Sequence, residues 1–184
     1  MQISQELLGK VLCTNIGDQP TSGIIVETEA YSGRNDKACH AYLNRRTKRT
    51  EIFYQHGGLA YVYLCYGIHH LFNIVTNGAE EADAILIRAV EPLEGIEAMQ
   101  ARRNYSKLDR RLTAGPGSMS QALGIKVDHY GEPLDGETIW LEDRGINFAE
   151  NEIIRGPRVG IDYAEEDALL PWRFRVKNSG FTSK

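Results

Sequence analysis

Two carboxylates and a phenol recur at alternate positions in Gly23-Ile24-Ile25-Val26-Glu27-Thr28-Glu29-Ala30-Tyr31. A run this rich in β-branched residues reads as a strand. Period-two alternation places Ile25, Glu27, Glu29 and Tyr31 on one face and Ile24, Val26, Thr28 and Ala30 on the other. So apolar a strand is expected to be well buried. A carboxylate near its C-terminal end would then be partly desolvated, raised in pKa and suited to general acid or base work. The pattern fits equally a glutamate that pairs with an arginine and only holds the sheet together, and for any single buried glutamate that is the commoner outcome.

A second cluster is Tyr61-Val62-Tyr63-Leu64-Cys65-Tyr66-Gly67, where three tyrosines precede a glycine and a new strand begins near Leu71. This reads as a hairpin with Tyr61 and Tyr63 on one face and Tyr66 at the tip, free to project from the body. An exposed aromatic beside basic loops has the form needed to enter a base stack, whereas Tyr61 suits ordinary core packing. His40 lies close in sequence to Glu29 and Tyr31, although a lone histidine is more often a hydrogen-bonded structural residue than a catalyst. His69 and His70 are adjacent, so on a strand they face opposite ways. Cys13, Cys39 and Cys65 include no Cys-x-x-Cys pair. Neither a metal site nor a disulfide framework is expected.

The elements that must position these residues fit one domain. With 184 residues, 42% hydrophobic and 25% charged, the chain has globular proportions, a single core and no run of about 20 apolar residues that could span a membrane. The N-terminus lacks a secretory pattern, which points to the cytoplasm. Strands are predicted at Val11–Ile16, Gly23–Tyr31, Leu59–Tyr66, Leu71–Thr76, Ala84–Val90, Thr138–Leu141, Arg158–Ile161 and Arg173–Val176, and helices at Gln5–Gly9, Gly95–Arg103 and Gly117–Gly124, with a short turn near Glu165–Leu169. Strand-rich sequence without regular βαβ alternation indicates an α+β domain around a largely antiparallel sheet. Residues 177–184 include the polar stretch Asn178-Ser179-Gly180 and are expected to fray.

The net charge of −4 argues at first against nucleic acid, but its distribution is uneven. Residues 33–49 hold six basic side chains against Asp36 alone, residues 99–111 hold five against Asp109, and residues 116–184 carry 12 acidic and 8 basic groups. One basic surface with an acidic back and two ordinary solvated loops both fit these counts.

Taken together, the residues resemble the alkyladenine (3-methyladenine) DNA glycosylases, which excise alkylated and deaminated purines. The resemblance rests on Val26-Glu27-Thr28-Glu29-Ala30-Tyr31, Cys39-His40-Ala41, Tyr61-Val62-Tyr63-Leu64-Cys65-Tyr66-Gly67, Phe72-Asn73, the run from Ile85 to Gly95, and Leu112-Thr113-Ala114-Gly115-Pro116-Gly117. It continues through Gly156-Pro157-Arg158-Val159-Gly160-Ile161 and Trp172-Arg173-Phe174. These blocks span nearly the whole chain.

The resemblance implies a single compact domain, residues 1–178, with a polar tail at 179–184, a curved antiparallel sheet and a protruding β-hairpin. It makes Glu29 the general base that activates water, with Arg88 holding that water or the carboxylate. Tyr31, His40 and Tyr63 would line the pocket around the extruded base, Asn73 would exclude the guanine 2-amino group, and Tyr66 would fill the gap left in the duplex. The basic loop residues Arg45, Arg46, Lys48 and Arg49 would contact the DNA backbone. Lys48 stands where relatives usually carry proline. No cofactor or metal is implied. The expected partner is double-stranded DNA containing damaged purines such as 3-methyladenine, 7-methylguanine, hypoxanthine or ethenoadenine, met by a monomer working at the bacterial nucleoid. A non-catalytic lesion binder is disfavoured by the presence of Glu29, and a small-nucleoside hydrolase would have no use for the tip tyrosine or the basic segments.

Overall fold

The computed structural model describes residues 1–183. Strand β2 (Pro20–Ser32) is the spine of one eight-stranded antiparallel sheet. Along one edge it pairs with β5 (Asp83–Glu94) for most of its length. Along the other, its first half pairs with β1 (Val11–Asn15), and the stretch Glu27 to Glu29 pairs instead with β8 (Arg173–Val176). The sheet continues outward through the hairpin of β3 (Ala60–Cys65) and β4 (His69–Thr76) on the β5 side and through β6 (Ile139–Glu142) on the β1 side, with β7 (Ile153–Gly156) on β8. The α+β class and the single compact domain expected from the sequence are therefore observed.

A short α1 (Gln2–Glu6) precedes the sheet, and α2 (Ile96–Arg103) and α3 (Pro116–Leu123) pack against it. Met99, Met119 and Leu123 from these helices meet Leu12, Ile25, Phe72 and Ile87 in the main core. A second, smaller cluster of Ile52, Phe53, Tyr54, Tyr61, Val75 and Ala84 anchors the loop between β2 and β3. Tyr31 and Tyr63 pack on its margin. Burial of those three consecutive large side chains, Ile52 to Tyr54, fixes the segment that carries His40 and Arg49 over the sheet.

The β2–β5 register slips at Ile25/Glu27 and again at Glu27/Thr28. At the first slip Val26 is the extra residue on β2, so Ile25, expected on the carboxylate face, joins Val26 in the main core. At the second, Glu27 pairs with Ala89 and Thr28 with Ile87, which leaves Arg88 as the extra residue on β5. Such bulges re-aim a side chain, and this one turns Arg88 toward Glu27 and Glu29.

Several expectations are corrected. Arg158–Ile161 is not a strand; the pairing segment is β7, which ends before Pro157, whose ring nitrogen has no proton for the ladder. The first helix covers Gln2–Glu6 rather than Gln5–Gly9, because Gly9 has φ +92° and its N–H already bonds the carbonyl of Ile25. Of the segment 177–184 expected to fray, residues 177–183 are held by hydrogen bonds to the body, and residue 184 lies outside the described residues. Ser183 folds back onto Glu27, where it forms two hydrogen bonds. No helix among the described residues is long and apolar enough to cross a membrane.

Candidate active site

Glu27 and Glu29 are both fully buried, and their surroundings give them different work. Glu27 Oε1 accepts from Arg88 Nε (2.8 Å), Arg173 Nε (2.8 Å) and the Ser183 hydroxyl (2.7 Å), and its Oε2 accepts from Ser183 N–H (2.5 Å). Burial alone would raise the Glu27 pKa, but Arg88, the two Ser183 hydrogen bonds and Arg173 outweigh it and hold the carboxyl below the usual range. This is the glutamate that holds the sheet. Glu29 is less committed. Oε1 accepts the Val159 N–H (2.8 Å) and lies 3.3 Å from Arg88 Nη1, and among the described residues Oε2 accepts only the Tyr31 hydroxyl (2.8 Å). A carboxylate offers about four acceptor positions, so one remains on Oε2.

A cavity of about 560 Å³ is lined among others by Tyr31, His40, Tyr63, Asn73, Arg88 and Val159. Glu29 is not itself part of the lining, but three lining residues, Tyr31, Arg88 and Val159, hold its carboxylate. The predicted pocket residues thus do come together. Burial first, and then the charge of Glu29, push the Tyr31 phenol well above its ordinary pKa, so it stays protonated and donates. Tyr63 meets the His40 ring edge-on with centroids 4.7 Å apart, and burial raises its pKa as well. Asn73 is buried on β4 and its amide nitrogen donates to the carbonyls of Tyr61 (3.1 Å) and Leu71 (3.3 Å), which locks the side chain as a rigid wall. Cys39 also lines the cavity, with its thiol pushed up to about 12 by burial, so it remains an unreactive thiol at neutral pH.

Tyr66 lies at the cavity mouth on the tip of the β3–β4 hairpin, 89% exposed. The turn needs left-handed backbone at both Tyr66 (φ 51°) and Gly67 (φ 74°) and is closed by the N–H of Ile68 donating to the Cys65 carbonyl. Leu64 and Ile68 are exposed beside it, so the tip as a whole is an apolar projection.

The basic residues divide. Arg45, Arg46, Lys48 and Arg49 are all exposed, and Arg46 is also engaged by Glu80 and stacks over Tyr54 at 4.0 Å. Arg49, though exposed, reaches over the pocket: its Nε donates to the Tyr61 hydroxyl (2.9 Å), its Nη2 approaches His40 Nδ1 (3.1 Å), and its guanidinium lies 4.7 Å from the Tyr63 ring centroid. It lines the cavity as well as the surface. In the second basic segment Arg102 caps the carbonyls of Ile16, Gln19 and Ala122, and Arg111 pairs with Asp109, so much of that charge is structural.

His40 supports a pH prediction. Burial, and then the neighbouring Arg49, lower its pKa from 6.5 to about 4. A folded-state pKa below the unfolded one means that the stability contributed by the neutral ring is complete above about pH 6.5 and is lost as pH falls through about 4. His40→Gln is therefore expected to shrink the fall in thermal midpoint across that window. A slope unchanged from the parent protein would show that the ring protonates as readily folded as unfolded.

Sequence reasoning missed three contributors. The Val159 N–H has no side-chain signature. Its loop is held by Arg158, which forms a fully buried pair with Asp36 (Nη2 to Oδ1 2.7 Å), donates to the Ala30 carbonyl (2.8 Å) and stacks 4.7 Å from the Tyr31 ring. Arg49, expected at the DNA backbone, also lines the cavity, which its basic neighbours do not signal. Ser183 was hidden in a polar tail.

The family model described as methylpurine-DNA glycosylase matches residues 1–180. The chain is 43% identical over 184 residues to a protein of Bacillus licheniformis, covering all of this chain and 91% of that one. It is 46% identical over 175 residues to one of Chlamydia felis, covering 95% and 89%. With a protein of Bacillus cytotoxicus it shares 42% over 193 aligned positions, covering 100% and 94%. Each of the three is provisionally named a 3-methyladenine DNA glycosylase.

Proposed function

This chain belongs to the methylpurine-DNA glycosylase family, and from that premise we propose that it hydrolyses the N-glycosyl bond of alkylated and deaminated purines flipped out of duplex DNA, with Glu29 activating the water. Enzymes of this family are hydrolases of N-glycosyl bonds, and their substrate is DNA. The observation that carries the finer reading is Glu29 itself, a buried carboxylate with one acceptor position uncommitted among the described residues, held by three of the residues that line an aromatic cavity whose mouth bears an exposed tyrosine.

A base inside the duplex is unreachable, so the nucleotide must be extruded against an unstacking cost of a few kcal/mol, which Tyr66 offsets by filling the gap. Purines alkylated at N3 or N7 are cationic. The ring faces of Tyr31 and Tyr63 attract such a base by roughly 0.5–2 kcal/mol. As the bond between C1′ and the purine breaks, its electron pair leaves with the base and the sugar gains oxocarbenium character, which Glu29 stabilises. Water adds to C1′, its proton passes to Glu29, and the cationic alkylated base departs neutral, whereas an uncharged base such as hypoxanthine leaves as its anion and takes a proton from solvent. Arg88 keeps the carboxylate aimed, and the locked amide of Asn73 crowds a guanine 2-amino group. Arg45 and Lys48 supply exposed charge for phosphates, and the enzyme acts as a monomer.

The test is incubation with duplexes carrying one hypoxanthine, ethenoadenine or alkylated purine, followed by alkaline cleavage at abasic sites. Strand breaks at the lesion alone are expected; none on any such duplex would remove the reading. Within it, Tyr66→Ala should slow excision by on the order of tenfold on a stably paired lesion and less on a mismatched one, which has already lost part of its pairing energy. Tyr63→Ala should slow both alike, because it strips a cavity wall. Equal losses for Tyr66→Ala on both duplexes would return that residue to ordinary surface.

A further inference from the structure

We propose that Ser183 is a positioning residue for the reaction: its hydroxyl sets the rotation of the Arg88 guanidinium and thereby the aim of Glu29. The inference rests on the assignment of Glu29 as the base. Arg88 is gripped along one edge, with Nε donating to Glu27 Oε1 (2.8 Å) and Nη2 donating to Ser183 Oγ (3.2 Å). Two partners on one edge of a planar fork fix its orientation, and the remaining nitrogen, Nη1, then falls 3.3 Å from Glu29 Oε1. The Ser183 hydroxyl proton is committed to Glu27 Oε1 (2.7 Å), so its lone pairs face Arg88 and also Arg173 Nη2 (3.1 Å). A hydroxyl donates and accepts at once, and both are needed here.

The backbone adds to the clasp. Ser183 N–H donates to Glu27 Oε2 (2.5 Å), and its carbonyl accepts from Arg173 Nη2 (3.1 Å). Alanine would keep these two bonds and lose only the hydroxyl. Arg88 Nη2 would then be a buried charged donor short of an acceptor, in a guanidinium whose Nη1 already lies 3.3 Å from the Glu29 carboxylate. A guanidinium drawn toward Glu29 occupies the carboxylate and turns it from the cavity. Displacements of about 1 Å in a reacting group are enough to cost up to about 10²-fold in rate.

The experiment compares the parent chain with Ser183→Ala and Ser183→Thr in single-turnover excision from a duplex carrying one hypoxanthine, well below the thermal midpoint of each. Ser183→Ala is expected to lower the maximal rate constant about tenfold while the enzyme concentration for half-maximal rate stays within about twofold, and Ser183→Thr is expected to restore the rate. A parental rate in Ser183→Ala overturns the proposal. So does a defect confined to half-saturation or to thermal midpoint, or an equal loss in Ser183→Thr, since each marks a packing role only. If the parent chain itself does not excise hypoxanthine or an alkylated purine, the assignment of function fails instead, and the two failures are thereby told apart.

Discussion

Glu29→Gln is expected to bind a lesion duplex as the parent does and to excise at least roughly 10²-fold more slowly, the lower end of what a general base contributes. The substitution is nearly isosteric, and the site can absorb it. All of the groups around Glu29 are donors in the parent: Val159 N–H, Arg88 Nη1 and the Tyr31 hydroxyl. The glutamine oxygen can keep the first two, while its NH₂ faces Tyr31, whose hydroxyl can rotate and accept. What is lost is the uncommitted lone pair on Oε2 and the negative charge opposite the developing cation on the sugar. Glu27→Gln is the informative comparison because it alters the same strand face and reaches the cavity only through Arg88. If, among folded protein, Glu27→Gln slowed the chemical step more than Glu29→Gln, the base would be misassigned.

The pair of glutamates shows what the sequence could and could not tell. Alternation along β2 put Glu27, Glu29 and Tyr31 on a common side, and a tyrosine-rich hairpin ending in glycine put Tyr66 at a tip; both are local patterns and both are observed. Which glutamate holds the sheet was undecided, because that depends on Arg88 and Arg173 from distant strands and on a bulge that leaves Arg88 unpaired in the ladder. A bulge is a mismatch between two strands and cannot be read from either one. The Val159 amide donor was invisible for a different reason, since any residue but proline supplies one. The reach of Arg49 to the buried Tyr61 and the docking of Ser183 on Glu27 defied composition: a basic run looks solvated and a polar tail looks loose, yet members of each have buried partners.

Glu27→Gln should bring the largest loss of stability, about 3–5 kcal/mol, because it removes the anion between two buried guanidiniums and leaves a neutral amide among donors. For a chain of this size each kcal/mol moves the thermal midpoint by about 2–4 °C, so a drop on the order of 6–20 °C is expected. The pH dependence follows from the direction of the Glu27 shift. Its folded pKa lies below the ordinary 4.5, so its contribution is present above that value and is lost as pH falls through the folded pKa. The gap between parent and variant should therefore be widest near neutrality and narrow on acidification. The loss should also fail to add to that of Ser183→Ala, since both changes act on one cluster of hydrogen bonds. Thermal melts of the two single variants and the double variant at neutral and acid pH measure all three expectations. A midpoint for Glu27→Gln within about 2 °C of the parent would mean that the cluster only balances its own desolvation and that the sheet is held by its apolar core.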